Sequence, residues 1–246
     1  MWVGDLPNPY PANTHASARC NETSASVKAT VAPSWSCVRP VFRLRIRRPG
    51  QRYRLARVLS VTSSASSAKG LFLDRDGTLI EHIPYLYDPN HVKLIPGVRE
   101  ALHQARRAGF RLYLFTNQSG VGRGMFPLAA VHAVNQRMEG LLGFAEPVFA
   151  EVCIAPEAPD QLSTYRKPSP RFIEEMIARD NLVKKDSWMI GDAPSDWEAG
   201  WRAGINAGAV GLTGAEDPAW GAMRSRWTAA AAPTLADLMP TLLRAG

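Results

Sequence analysis

The chain has few cysteines and no long apolar run, and each absence excludes a class of protein. Three cysteines among 246 residues, Cys20, Cys37 and Cys153, are too few and too scattered for a disulfide framework or a closed four-ligand zinc site. No run of about eighteen or more apolar residues occurs, so the sequence predicts no transmembrane helix and no membrane partner. The hydrophobic content of 46% is nevertheless enough to fill a core. A globular protein that is stabilised by packing is therefore expected.

The formal net charge of +7 is distributed unevenly along the chain. Residues 1–69 hold eleven Lys and Arg residues against two acidic ones, whereas residues 70–246 hold eighteen against twenty. The basic character therefore belongs to the first part of the chain. Because the second part is slightly acidic overall, nucleic acid is not an expected partner.

Residues 1–69 form a Ser- and Arg-rich extension without a helical or strand periodicity. Three interpretations remain open: an organelle transit peptide, a disordered basic tail, or upstream sequence that is not translated from Met1 in the cell. A cytoplasmic location is predicted unless the segment is a transit peptide, in which case the protein would enter an organelle. A globular domain is predicted over residues 70–246.

From Gly70 onward, short apolar runs alternate with amphipathic stretches. Strands are predicted at 71–73, 110–115, 148–154, 188–190 and 207–210. Helices are predicted at 96–108, 129–142, 171–181 and 195–203, the last with Ser195 as its N-cap. This alternation predicts an α/β fold with a parallel sheet covered by helices on both faces, and a site beyond the carboxyl ends of the strands.

Asp74 and Asp76 follow the first predicted strand directly, and Gly77 comes next. Two carboxylates at this spacing can point into one crevice, where they need a cation or a shared proton. Asp-x-Asp-Gly is also common turn chemistry and opens calcium loops, but the later glutamate of a calcium loop is missing. Taken alone, the cluster indicates catalysis and an ordinary turn about equally.

A second polar segment, Thr116 to Gly120, follows the second predicted strand. A hydroxyl and backbone N–H groups at a strand end suit a phosphoryl oxygen, although an ordinary polar loop has the same composition. Gly120, Gly122 and Gly124 have the wrong spacing for a dinucleotide loop and are interpreted as flexibility.

Two further clusters complete the set. Lys167, between Arg166 and Pro168, can place a compact positive charge on a phosphate or between carboxylates, although a surface lysine is far more common. Asp192 and Asp196 follow the fourth predicted strand and can supply a metal ligand and an orienting carboxylate, although an N-cap is the alternative.

The four clusters, in this order and each after a predicted strand, together resemble the four motifs of the haloacid dehalogenase (HAD) superfamily. The resemblance covers about residues 70–215, and segments 72–78 and 115–120 are similar to the histidinol-phosphatase and heptose-bisphosphatase branch. It implies a HAD-like Rossmannoid three-layer sandwich. Since only loops, helices and one strand fit between the motifs, the enzyme is expected to be capless.

The resemblance also implies a magnesium-dependent phosphatase. Asp74 would be the nucleophile that becomes an aspartyl phosphate, and Asp76 the general acid and base. The implied Mg²⁺ ligands are Asp74, the carbonyl of Asp76, and Asp192. The implied phosphate-binding residues are Thr116, Asn117 and Lys167, with Asp196 orienting Lys167 or a metal-bound water.

Loops must select the substrate of a capless enzyme, and the expected substrate-binding residues are His82, Tyr85, Gln118, Ser119 and Arg166. The Arg166 fork suits a second phosphate or a carboxylate. The resemblance to the heptose-bisphosphatase branch implies a small sugar bisphosphate as the preferred substrate, namely D,D-heptose 1,7-bisphosphate cleaved at the 7-phosphate. Histidinol phosphate and 3′-phosphorylated polynucleotides are alternatives, and a catalytically idle binding module is the non-enzymatic one. A monomer is expected.

Heptose bisphosphatases usually carry a cysteine and histidine zinc site just before the Arg-Lys-Pro segment. This chain keeps Cys153 but has no histidine at 154–156, and it has Ser163 and Tyr165 at two positions where cysteines would lie. Structural zinc is therefore expected to be absent.

Overall fold

The structure, a computed structural model, describes residues 68–211 and 218–244, and the side chains of 218–220 are excluded. The interpretations of the basic extension concern residues 1–67, which lie outside the described residues. The first strand begins at Lys69, two residues before its predicted start. The domain boundary at residue 70 stays a prediction.

In the described part of the chain, six parallel strands form one sheet in the order β3-β2-β1-β4-β5-β6. They are β1 Lys69–Leu73, β2 Phe110–Asn117, β3 Glu151–Ala155, β4 Trp188–Gly191, β5 Asn206–Ala209 and β6 Ala230–Ala231. Strand order reverses on either side of β1, and in such sheets the ligand crevice opens beyond the carboxyl ends of the strands at that point.

Seven α-helices connect and cover the strands in the described residues. They are α1 Val98–Arg107, α2 Ser119–Gly122, α3 Leu128–Leu142, α4 Arg171–Asp180, α5 Pro194–Ala203, α6 Pro218–Trp227 and α7 Leu235–Arg244. Short 3₁₀ turns lie at Pro89–His91 and Lys184–Asp186. Within the continuous range 68–211, no separate cap domain is inserted after β1 or β2.

Alternate residues of each strand face opposite sides of the sheet, as the two-residue strand period requires. Leu71, Leu73, Leu112 and Ile190 pack with α1, α3 and α7 on one face. On the other face, Phe72, Tyr113, Phe115 and Met189 pack with α4 and α5. The predicted three-layer α/β sandwich with a parallel sheet is confirmed.

Several predicted boundaries differ from the structure. The third strand begins at Glu151 rather than 148, because the buried Val148 and Phe149 precede it as irregular chain. The predicted cap Ser195 is wrong: α5 begins at Pro194, and the Asp196 carboxylate accepts a hydrogen bond from the N–H of Ala193 at 3.0 Å.

The end of the domain was missed in the sequence. Helices α6 and α7 and the two-residue strand β6 were not predicted. Pro240 lies inside α7 and removes a backbone donor there, which disguises its helical pattern. Burial of Leu235, Leu238, Met239 and Leu242 against the sheet stabilises the helix despite this proline.

None of the helices in ranges 68–211 and 218–244 has the length and apolar character needed to cross a membrane.

Candidate active site

An open cavity of about 420 Å³ lies at the carboxyl ends of the central strands. Ten of the predicted site residues line it: Asp74, Asp76, His82, Tyr85, Asn117, Gln118, Ser119, Lys167, Asp192 and Asp196. Residues that are far apart in the sequence thus meet where the sequence placed the site.

The buried ammonium group of Lys167 lies at the centre of the site. Its Nζ is 2.5 Å from Asp74 Oδ1 and 2.6 Å from Asp196 Oδ1, and it donates to the carbonyl oxygen of Phe115 at 2.8 Å. Burial alone would lower the pKa of Lys167, but the Asp196 and Asp74 carboxylates raise it above its ordinary value. A permanent positive charge is therefore fixed between two carboxylates.

The side chain of Asn117 holds the backbone of Lys167 in place. Its Oδ1 accepts from the Lys167 N–H at 3.0 Å, and its Nδ2 donates to the Lys167 carbonyl at 3.2 Å. This amide was predicted to contact phosphate, but both of its polar ends are occupied by Lys167. Contact of Asn117 with phosphate stays a prediction.

Asp196 is buried at the start of α5 and uses both carboxylate oxygens. One oxygen caps the N–H of Ala193 and the other faces Lys167. A Cβ on Gly191 would lie 2.2 Å from Asp196 Oδ2, so the strand can pass this carboxylate only as glycine. Asp196 thus contacts Lys167 at 2.6 Å, and its role in orienting the lysine stays a prediction.

Asp74, Asp192 and Asp196 each offer an oxygen within 4.8 Å of the others, a group that could hold a metal ion. Since both Asp196 oxygens have partners, Asp74 and Asp192 are the members that remain available. Oδ1 of Asp74 faces Lys167, and no hydrogen bond reaches its other oxygen in the described residues. A Cβ on Gly77 would lie 2.1 Å from Asp192 Oδ2, so this turn must be glycine for Asp192 to approach.

Burial weakens the acidity of the clustered carboxyl groups. It raises the pKa of Asp74 from 3.8 to about 7, because desolvation outweighs the attraction of Lys167. Burial, with the neighbouring Asp74 carboxylate, raises the pKa of Asp192 to about 6. These carboxylates are thus crowded and need a cation to remain ionised.

The Asp76 carboxylate forms hydrogen bonds with Arg75 and Gln118 instead of facing Lys167. Its carboxylate accepts from Arg75 Nε and Nη2 at 3.1 Å each and from Gln118 Nε2 at 2.8 Å. The same Gln118 nitrogen also lies 2.8 Å from the hydroxyl oxygen of Thr116. Asp76 is thereby held beside Asp74 without joining the acidic cluster.

Two predicted site residues do not line the cavity. Thr116 is fully buried, and its hydroxyl oxygen accepts from Gln118 beneath the cavity wall. Arg166 donates from Nη1 to the carbonyl of Glu157 at 2.9 Å, and burial lowers the pKa of its guanidinium. Contact of either residue with substrate stays a prediction.

The segment where a zinc site was considered is held by ordinary hydrogen bonds. Ser163 Oγ donates to Glu157 at 2.9 Å and accepts from the Arg166 N–H at 3.0 Å, and the Tyr165 hydroxyl donates to Glu175. Burial raises the pKa of the Cys153 thiol to about 12, and a protonated thiol is a poor metal ligand.

The roles of Arg75, Asn135 and several glycines in the site were not predicted from the sequence. Asn135 interrupts the buried face of α3 as a lone polar residue, which is a readable signal of a buried partner. The interpretation of Gly120 and Gly122 as flexible is wrong. A Cβ on Gly120 would lie 2.3 Å from the Phe126 ring, and one on Gly122 would lie 2.6 Å from the Ala158 nitrogen.

Comparison with known sequences identifies the family. A HAD-hydrolase-like family model matches residues 164–238, which include Lys167, Asp192 and Asp196. The D-glycero-D-manno-heptose-1,7-bisphosphate 7-phosphatase of Chlorobaculum tepidum is 40% identical over 152 residues, covering 56% of this chain and 76% of that protein. The chain belongs to the HAD-like phosphatases.

Other relatives of this HAD-like phosphatase carry two different names. The 7-phosphatase of Mesorhizobium japonicum, named for D-glycero-beta-D-manno-heptose 1,7-bisphosphate, is 40% identical over 56% of this chain and 67% of its own length. A bifunctional histidine-biosynthesis protein of Legionella pneumophila is 33% identical over 56% of this chain but only 40% of its own length.

Solved structures agree with the fold of this HAD-like phosphatase. A structure described as that of a HAD-like phosphatase from Mesorhizobium loti is 32% identical, with a TM-score of 0.58 over 73% of this chain and 88% of that one. The D,D-heptose 1,7-bisphosphate phosphatase of B. bronchiseptica, complexed with magnesium and phosphate, has a TM-score of 0.62 over 72% of this chain and 99% of that one. At 24% identity, that second likeness concerns the fold.

Proposed function

We propose that this HAD-like phosphatase removes the 7-phosphate from D-glycero-D-manno-heptose 1,7-bisphosphate through a phosphorylated Asp74. The observation that carries the proposal is Lys167, whose buried ammonium joins Asp74 to Asp196 at the floor of an open cavity. The 40% identity to two relatives named for this activity supports the choice of substrate.

The donor set fits Mg²⁺, which prefers oxygen ligands and keeps several waters. Asp74, Asp192 and the backbone carbonyl of Asp76 would hold it, and Gly77 provides the close approach that Asp192 requires. When bound, Mg²⁺ would offset the negative charge that the carboxylates share with the substrate phosphate.

Asp74 attacks the phosphorus atom and splits one difficult displacement into two easier steps. Lys167 donates to Asp74 Oδ1 and so fixes the orientation of the carboxylate for the attack. The lysine charge also lowers the repulsion between this anionic nucleophile and the anionic phosphate. Asp196 and Asn117 hold Lys167 in this position from two sides.

Asp76 provides the proton transfers. It donates a proton to the departing alcohol oxygen and afterwards removes one from the water that hydrolyses the aspartyl phosphate. Gln118 donates a hydrogen bond to this carboxyl group at 2.8 Å.

The side of the cavity toward residues 82–86 receives the rest of the substrate. Exposed His82 and Tyr85 lie there, Tyr85 is 44% exposed, and Ser119 also lines the cavity. No cap covers this opening within residues 68–211, so these side chains select the substrate.

The test is phosphate release by the full chain with Mg²⁺ on heptose 1,7-bisphosphate, histidinol phosphate and 3′-phosphorylated oligonucleotides. We expect the highest kcat/KM with the heptose bisphosphate. Preference for the oligonucleotide would replace the proposal with repair of DNA ends, and an inactive wild-type enzyme would favour an idle binding module.

Histidinol phosphate is the second candidate substrate. The identity of 33% to the bifunctional histidine-biosynthesis protein over 141 residues supports it. A higher kcat/KM on histidinol phosphate than on heptose 1,7-bisphosphate would establish it. The monomeric state, the cytoplasmic location and the lack of structural zinc stay predictions from the sequence.

A further inference from the structure

Arg75 lies between the two active-site aspartates, and its side chain is completely buried. Its guanidinium donates to both carboxylate oxygens of Asp76, with Nε to Oδ2 and Nη2 to Oδ1 at 3.1 Å each. Two parallel hydrogen bonds fix the plane of a carboxylate as well as its position. None of the chemical steps above uses Arg75 itself.

The backbone of Arg75 is held as firmly as its side chain. Its carbonyl oxygen accepts from the N–H groups of Thr78 at 3.4 Å, Leu79 at 2.9 Å and Ile80 at 3.1 Å. These hydrogen bonds fix the conformation of the loop after β1 and thereby the backbone position from which the guanidinium extends.

Asn135 of α3 holds the far end of the guanidinium. Its Oδ1 accepts from Arg75 Nη1 at 3.0 Å, and its own Nδ2 has no partner in the described part of the chain. A buried N–H group without a partner costs free energy. The Asn135 amide is therefore oriented so that it accepts the hydrogen bond of Arg75, while its own Nδ2 group is left without a partner in the described residues.

We propose that Arg75, held by Asn135, is a positioning residue that aims the Asp76 carboxyl group at the leaving oxygen of the substrate. The inference rests on the proposed function. In the step concerned, the bond from phosphorus to the leaving oxygen breaks while a bond from Asp74 to phosphorus forms, and the Asp76 proton passes to the leaving oxygen. A general acid must lie within hydrogen-bond reach of its target, and a misplacement of about 1 Å costs on the order of 100-fold in rate.

The alternative is that Asp76 merely neutralises a buried arginine that stabilises the fold. The two roles differ in their dependence on the leaving group. A misplaced acid slows the loss of a leaving group that needs a proton, whereas a general structural defect slows the cleavage of every ester alike.

The experiment measures kcat/KM of the full chain with Mg²⁺ on phenyl phosphate and on 2,4-dinitrophenyl phosphate, whose leaving group needs no proton. The value of kcat/KM depends only on the steps up to departure of the leaving group, so the later activation of water by Asp76 does not affect it. For Arg75→Lys we expect a loss of about 10- to 100-fold on phenyl phosphate and of less than about 3-fold on the dinitrophenyl ester. Asn135→Ala, outside the cavity wall, should give the same selective loss to a smaller extent.

Arg111→Lys is the matched control, because Arg111 also pairs with an aspartate but lies near the amino end of β2. It should leave both values unchanged. Equal losses on the two esters in folded Asn135→Ala and Arg75→Lys, or no loss in either, would overturn the inference. If Arg75→Lys does not fold, Asn135→Ala decides the question alone. A wild-type enzyme that releases phosphate neither from these esters nor from heptose 1,7-bisphosphate would instead contradict the proposed function.

Discussion

At the scale of single residues, two glycines let carboxylates approach the backbone closely. Gly77 has a φ of +75° and faces Asp192, while Gly191 faces Asp196. A side chain at either position would occupy the space of a carboxylate oxygen. The acid cluster therefore depends on residues that contribute no functional group.

Gly77→Ala tests this dependence. We expect a loss of about 1–3 kcal/mol in the free energy of unfolding, because alanine is strained at positive φ. We also expect at least about a 10-fold loss of kcat/KM, since the new Cβ displaces Asp192, a misplacement that costs on this scale. Thermal melting and phosphate release with Mg²⁺ measure the two effects.

Gly140→Ala is the control, because it lies in α3 and a Cβ there meets nothing within 4 Å. It should stabilise the protein by up to about 1 kcal/mol and leave activity unchanged. Full activity in Gly77→Ala would contradict the account of Asp192.

At the scale of secondary-structure elements, α4 is fastened to the sheet by Asp180. This residue ends α4 and accepts from the Tyr113 hydroxyl at 2.6 Å, and it also pairs with Arg111 and Arg179. Burial opposes the charge, but the hydrogen bonds from Arg179 and Tyr113 hold the pKa of Asp180 below its ordinary value of 3.8. An aspartate that would be unfavourable at a helix C-terminus is thus compensated.

Asp180→Asn should lower the free energy of unfolding by about 1.5–3 kcal/mol at pH 7, the range for hydrogen bonds to charged groups. Because the folded pKa is depressed, the stabilisation is fully present above about pH 4 and is lost as the pH falls through the lower folded value. Denaturant unfolding of both proteins from pH 7 to pH 3 measures the difference. A gap that stays constant as the solution is acidified would contradict the role of the charge.

The elements that the sequence predicted well are those with strong local patterns. Continuous apolar runs at 71–73, 112–115 and 188–190 precede Asp74, Thr116 and Asp192, and their order along the chain was enough to bring the polar clusters together. Contacts between distant segments could not be predicted from the sequence. The hydrogen bonds of Asn117 with Lys167 and of Arg166 with Glu157 depend on the conformation of the loops. Helix α7 was not predicted because Pro240 is unfavourable inside a helix. Burial of its apolar residues stabilises the helix despite this proline.

At the scale of the whole molecule, the site joins segments from both halves of the described chain. Asp74 and Asp192, which lie at the ends of neighbouring strands, are crowded together with raised pKa values. Crowded carboxylates oppose folding at neutral pH unless a cation joins them.

Mg²⁺ should therefore raise the melting temperature of the full chain. Binding to the folded state alone at about 100 times the Kd adds roughly 2.7 kcal/mol. We expect a smaller increase at pH 5 than at pH 7.5, because burial raises the pKa of Asp192 to about 6 and protons then compete for the site. Thermal scans with and without Mg²⁺ measure the shift, with Asp192→Asn as the control that should lose it. An equal shift in wild type and Asp192→Asn would place the ion elsewhere.

The most direct test of the account is to trap the phosphorylated enzyme. The full chain is mixed with heptose 1,7-bisphosphate and Mg²⁺ and quenched in acid within one turnover, and its peptides are then analysed by mass spectrometry. We predict one phosphoryl group on the peptide that contains Asp74, and none in Asp74→Asn. Rapid phosphate release without any phosphorylation of Asp74 would contradict the central claim.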